Sequence, residues 1–256
     1  MGLLSEFTGQ ENEGRSIAGV TTGVVKENWN KDYPGKVKVE ILLGEEGQNV
    51  TGWIPVMTQY SGSGFGFYAL PEVGAEVVVA FNMGDRNCPI VLGTLWNNKN
   101  KLQADTANDK NTIKSFRTKG GCEVTFDDEN GKARIEVKSP GKFTISIEDE
   151  KKQILIKDEK GENGIRIDAE KGELEISAKT KIELKVGGKA MVALDGNSKT
   201  AQIKADNIKA EAGQALQLKG QNDTIEGSML NIKAQSSLKA ESGGMLEVKG
   251  AMVKIN

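Results

Sequence analysis

Histidine is absent from all 256 residues. That absence removes the commonest catalytic acid and base, the usual Ser/His and Cys/His nucleophile pairs, and the favoured ligand for zinc and iron. Cysteine is nearly absent too: Cys88 and Cys122 stand too far apart for a CxxC site and are too few for a disulfide framework, so they read as reduced thiols made in the cytosol. No run of 18 apolar residues occurs, which argues against a transmembrane helix and stable membrane anchoring. The opening MGLLSEFTGQENEGR has neither a basic n-region nor an apolar h-region, so synthesis in the cytoplasm without a signal peptide is expected. Neither sign of charge dominates, with 34 Lys plus Arg against 36 Asp plus Glu and a net charge of −2. Nucleic acid or an anionic membrane is therefore a poor partner. Hydrophobic residues reach only 37% and aromatics 5%, too few for a thick core along the whole chain.

The scarce residues are unevenly placed. The first of thirteen aromatics is Phe7 and the last Phe143; the five prolines begin at Pro34 and end at Pro140. The last 113 residues contain neither. Two architectures are implied, one with a compact aromatic core and one built from small, aliphatic and charged residues. The polar stretch NNKNKLQADTANDKNTIK marks the join.

Before that join, strand signals recur: SIAGVTTGVVKEN (16–28), KVKVEILL (36–43), TGWIPV (51–56), AEVVVAF (75–81) and PIVLGTLW (89–96). Five strands in so short a stretch suggest a small closed or nearly closed barrel, with the OB-fold the leading candidate. GEEGQN reads as a hairpin turn. MTQYSGSGFGFYALPEVG reads as an ordered, packed loop. Helix-start signals are few, so almost no helix is expected.

After the join, GIRID, ELEIS, KIELK, MVALD, ALQLK, MLNIK, MLEVK and MVKIN each alternate apolar and polar residues with period two. Their leading apolar positions recur about every eight residues, a degenerate repeat. So short a unit holds one strand, one turn and about two inward aliphatic side chains, too little to close a core alone. Three chains around one axis supply the missing walls as a triangular prism with C3 symmetry. A narrow axis also accounts for the missing aromatics. The fold class is thus all-β: an N-terminal OB-fold barrel followed by an intertwined trimeric β-helix. The expected divisions are 1–15 N-terminal extension, 16–97 OB-fold domain, 98–118 connector and 119–256 spike.

The segment ALPEVGAEVVVAFNMGDRNCPIVLGTLWNNKNK (69–101) resembles the OB-fold signature of contractile-injection spike proteins, namely the VgrG family of type VI secretion and phage baseplate assembly protein V. The pattern P-x-V-G-x-E-V-x-V-x-F lies at 71–81, G-D-x-x-x-P at 84–89 and V-L-G-x-x-[YW]-N at 91–97. GKVKVEI (35–41), GWIPVMTQYSGSGFG (52–66) and TKGGCEVTFDDENGKARIEVKSP (118–140) are similar to flanking parts of the same family, and the close GAMVKIN resembles a spike tip. The family often has Arg at Cys88 and His at Cys122, so no site chemistry is carried over there. The resemblance implies a homotrimeric, non-enzymatic spike of a contractile injection system, delivered outside the cell to puncture an envelope. About 15 residues precede the barrel, which implies a hub on a separate polypeptide at the OB end, as with baseplate protein V. Some spikes of that family bind iron at the apex through histidines, which this chain lacks. A separate PAAR-type tip protein is expected to cap Met252, Val253, Ile255 and Asn256; the alternative is that these residues finish the rod's interior. No cofactor or metal is expected. The rival reading, a carbohydrate- or receptor-binding fibre module, calls for exposed aromatics along the rod, and none follows Phe143.

Other motifs read more simply. Trp29, Trp53, Tyr60, Phe65, Phe67 and Tyr68 suggest a base-stacking platform, but residues 15–97 hold six cations against eight anions, so barrel core or subunit contact is the better reading. GSGFG (62–66) lacks the Lys-Ser/Thr of a P-loop. Asp127, Asp128 and Glu129 before Asn130-Gly131 lack EF-hand spacing and read as a hairpin turn. Glu148, Asp149 and Glu150 before Lys151 and Lys152 read as a solvated turn.

Overall fold

The computed structural model describes residues 17, 19–42, 47–104 and 106–255. It divides into two compact units, one comprising residues up to 182 together with 195–200, the other 183–194 and the residues from 201 onward. Among the described residues the only helical element is a 3-10 turn at Asn82–Gly84.

The first unit begins with a barrel. Strands β1 (Val20–Glu27), β2 (Lys36–Ile41), β3 (Ile54–Pro55), β6 (Glu76–Phe81) and β7 (Pro89–Leu95) form a sheet in the order β3-β2-β1-β6-β7. A parallel bridge between Val56 and Val91 joins its two ends, with the Met57 N–H donating to the Val91 carbonyl at 2.8 Å. This closes the edges, which is how a small barrel avoids unpaired strands. Register slips after Val25 and Val78 supply the curvature that closure needs. Alternation does the rest: in β6, Val77, Val79 and Phe81 point inward while Glu76, Val78 and Ala80 are less covered. Gly23 of β1 lies close against β2, since a Cβ there would stand 2.8 Å from the Glu40 carbonyl and press on Val39.

The barrel core differs from the expected aromatic one. It consists of Val25, Val37, Val39, Ile54, Val77, Val79, Phe81 and Val91, with Phe81 the single aromatic. The reason is dimensional: five short strands enclose too little volume for several rings, and β-branched side chains fill a pleated wall better. The loop between β3 and β6 folds into a small hairpin, β4 (Ser61–Gly62) with β5 (Phe65–Gly66).

The chain's exit from the barrel is tied down by two asparagines. The Asn97 amide donates to Glu76 at 2.6 Å, its carbonyl accepts the N–H groups of Lys99 and Asn100, and the Asn100 amide donates to the Gly74 carbonyl.

Seven strands follow in the same unit: β8 (Ile113–Arg117), β9 (Glu123–Asp127), β10 (Arg134–Lys138), β11 (Thr144–Glu148), β12 (Gln153–Lys157), β13 (Gly164–Asp168) and β14 (Glu173–Ser177). They form one antiparallel sheet in strict chain order. Every strand has five residues and every residue has a partner in register. Each of the six turns contains one residue in the left-handed region, glycine at four and Lys142 and Lys152 at the others. Strand β8 (Ile113–Arg117) falls inside the expected connector, and within this single chain consecutive strands pair with one another.

Next along the chain, β15 (Lys181–Val186) and β16 (Lys189–Asp195) are joined by Gly187-Gly188, both at positive φ, as a two-residue hairpin turn requires. With β17 (Thr200–Ile203) they form a three-stranded sheet. Beyond Ile203 the described residues form no strand, although ALQLK, MLNIK, MLEVK and MVKIN carry strand patterns. They run without regular structure between bends at 206, 213–214, 221–222, 228, 235–236, 243–244 and 251, every seven to eight residues. A strand is defined by a neighbour's hydrogen bonds, and a single chain offers these segments none.

Candidate functional site

The seven-stranded sheet has two chemically opposite faces, because side chains alternate and the in-register ladder keeps like beside like. On one face, a column runs Phe126, Ile135, Ile147, Ile154, Ile167 and Leu174. Beside it runs a second: Phe116, Val124, Val137, Ile145, Ile156, Ile165 and Ile176. All but Val124 are exposed, from 39% at Ile165 to 66% at Leu174. A groove of about 660 Å³ opens over the second column. Fully burying such a side chain contributes roughly 1.5–3 kcal/mol, so covering this half-open face is worth about 1 kcal/mol per residue, on the order of 10 kcal/mol in all. A continuous apolar surface of this extent marks a contact.

The opposite face is charged and internally satisfied. Arg166 bridges Asp168 at 3.1 Å and Glu175 at 2.9 Å, and Gln153 donates to Asp168. Lys138 pairs with Glu136 at 2.9 Å, and Lys151 with Glu148 at 2.6 Å. The Lys171 backbone N–H and the Gln153 amide hold the Asp168 carboxyl below the ordinary aspartate range, against burial that acts the other way. The Lys151 ammonium does the same for Glu148. Glu175, with Asp168 and Glu173, pushes the Arg166 guanidinium up. These groups pair with one another across the face.

The six aromatics of the expected stacking platform divide into groups. Tyr33 stacks on Trp53 at 6.2 Å, with Lys36 and Lys38 over their rings. Tyr60 and Phe65 meet at 5.5 Å on the β4–β5 hairpin, where Phe67 and Tyr68 are also exposed. Trp29 stands exposed on the β1–β2 connection. None of the six belongs to the barrel core. GSGFG is the β4–β5 hairpin itself. Asp127, Asp128 and Glu129 open the β9–β10 turn, and Glu148 to Lys152 the β11–β12 turn. Among the described residues no group of three or more acidic, Cys or His side chains could hold a metal. Cys88 and Cys122 are exposed, and a hydrogen bond with Asp85 pushes the Cys88 thiol up, away from nucleophilic character.

Of the tip residues, Met252 is 87% exposed, Val253 51% and Ile255 91%; Asn256 lies outside the described residues. They share their condition with the whole distal stretch, where every described residue from 206 to 255 is exposed, Ile208, Leu216, Leu230 and Leu246 included. The alternation was legible in sequence from residue 164 onward. The strands from β8 to β12 were missed, although CEVTF, ARIEV, FTISI and QILIK carry the same period.

Comparison with known proteins matches residues 21–96, the closed barrel, to the type VI secretion system/phage-baseplate injector OB domain. Residues 21–96 are thus similar to that injector domain, and about half of the chain is similar to VgrG spike proteins. It is 31% identical over 142 residues to type VI secretion system spike protein VgrG5 of Pseudomonas aeruginosa, covering 52% of this chain and 18% of that one. Spike protein VgrG2a of the same organism is 34% identical over 123 residues, 45% of this chain and 14% of its own. The actin cross-linking toxin VgrG1 of Vibrio cholerae is 29% identical over 127 residues, 46% of this chain and 12% of the toxin. The matched region is thus less than a fifth of these relatives' length.

Proposed function

We propose that this VgrG-related chain is the structural, non-enzymatic spike of a contractile injection particle and works as a homotrimer. The observation that carries the reading is the apolar face of β8–β14, twelve of whose thirteen residues its own chain leaves exposed. Three copies related by a threefold axis would turn these faces toward one another and leave the salt-bridged faces to water. Over 113–177 each chain would supply one wall of a prism through its own ladder. Beyond residue 203, where the chain bends every seven to eight residues and has no ladder, the backbone donors and acceptors would pair with the other two copies.

On this reading the division is an extension at 1–15, an OB-fold injector domain at 16–97, a connector at 98–118 and a spike at 119–256. The barrel end seats on a hub. Met252, Val253, Ile255 and Asn256 of three copies form a blunt apolar end that receives a PAAR-type tip protein. The particle assembles in the cytoplasm, and contraction drives the spike through a target envelope. Strength comes from interlocked chains.

Sedimentation of the full chain at micromolar concentration tests this. A species of three times 27.5 kDa is expected. A monomer would reject the spike.

A further inference from the structure

Residues 47–71 contain no charged side chain, in a protein where charged residues make up 27%. This run includes the β4–β5 hairpin, whose rings Tyr60, Phe65, Phe67 and Tyr68 are each at least half exposed. The hairpin is nevertheless built firmly. The Phe67 N–H donates to the Tyr60 carbonyl at 2.8 Å, and the Thr58 hydroxyl donates to the Phe67 carbonyl at 2.7 Å. Gly66 sits at φ +149°, where a Cβ would stand 2.6 Å from the Tyr60 carbonyl, so the two arms approach as closely as glycine permits. A loop ordered this tightly, with its rings turned to solvent, is preorganised for contact.

We propose that the β4–β5 hairpin is a clasp between copies of this chain, its rings seated against the hairpin and recess of a neighbouring copy; this rests on the trimeric reading above. Two observations favour a second copy over a foreign partner. First, Phe67 meets Phe116 edge-on, with ring centroids 6.0 Å apart, and Phe116 heads the isoleucine column of the rod sheet, so the hairpin continues the same apolar surface. Second, around a threefold axis each surface meets a copy of itself or of its neighbour, and a charged patch near the axis would face its own sign. An uncharged run of 25 residues removes that repulsion. A recess of about 730 Å³ beside the hairpin, walled by Val56, Met57, Leu70 and Leu92, is large enough to receive rings from the next copy.

The test replaces Phe65 of the full chain with photoreactive p-benzoylphenylalanine, irradiates the purified protein, and reads covalent products on a denaturing gel beside sedimentation of the same sample. Bands at two and three chain masses are expected, with cross-linked peptides mapping to residues 56–94 of another copy. A trimer that gives only within-chain products would overturn the clasp and leave the trimeric reading standing. A monomer would overturn the trimeric reading and the clasp together. The double variant Phe65→Ser, Tyr68→Ser should remain trimeric through its rod but release monomers in detergent at a lower temperature; an unchanged release temperature would also overturn the clasp.

Discussion

Ser146 and Ile147 are neighbours on β11 and face opposite sides of the sheet; the serine is 2% exposed and the isoleucine 43%. Long charged neighbours cover the small polar residues on one side, while nothing in the chain covers the aliphatic ones on the other. The inversion locates the missing partner. It predicts that Ile156→Asp, within the second column, abolishes the trimer, because three carboxylates would converge at one level of an apolar face. Sedimentation should show monomers, while Glu175→Gln on the charged face leaves the trimer intact. A trimeric Ile156→Asp would refute the axial placement of that column.

Backbone amides beyond residue 204 offer a separate test. In a lone chain they have no ladder and should exchange with solvent at nearly free rates. In the trimer, protection should rise by at least about a thousandfold, the scale of a ladder that opens only with global unfolding. Hydrogen exchange read by mass spectrometry on the peptides around Leu216, Leu230 and Leu246 checks this. Fast exchange in a confirmed trimer would show that the distal segment is not paired.

Acid should weaken the charged face in a defined order. Asp168 and Glu148 are held below their ordinary values in the folded chain, so they add stability that is fully present above the unfolded values of about 3.9 and 4.3. That stability disappears as pH falls through the lowered folded values. The melting temperature should therefore hold from neutrality to about pH 5 and drop below about pH 4. Asp168→Asn should flatten part of that drop. A melting temperature indifferent to pH between 5 and 2 would contradict it.

Gly23→Ala should strike the barrel alone. Its methyl would press on Val39 and the Glu40 carbonyl, an overpacking that costs about 1–3 kcal/mol. A fragment ending before β8 should show the loss as a lower melting temperature by circular dichroism. An unchanged melt would mean that β1 and β2 separate without cost.

The sequence revealed the barrel because each strand announced itself by β-branched alternation between turn residues; Val77, Val79 and Phe81 point inward as the pattern requires. The valine core was harder to foresee. Aromatics suggested burial by composition, yet Tyr60, Phe65 and Tyr68 lie outside because the barrel is too narrow for them. The distal alternation was equally plain, but alternation specifies a face and not a partner. ELEIS pairs within the chain as β14, while LEVK at 246–249 does not, and nothing local distinguishes them. The candidate interface was legible as a stripe; its two-column register had to await the ladder.

Asn97 and Asn100 sit where β6 and β7 open, on the side from which the downstream chain would tug. Tension entering there would peel an antiparallel pair one rung at a time, the weakest way to load it. Because Asn97 holds Glu76 and Asn100 holds Gly74, the first rung is latched, and a jolt transmitted from below is shared by both strands. Toughness at this joint is therefore vested in two amide side chains, and an alanine pair there would turn a seam that tears all at once into one that unzips.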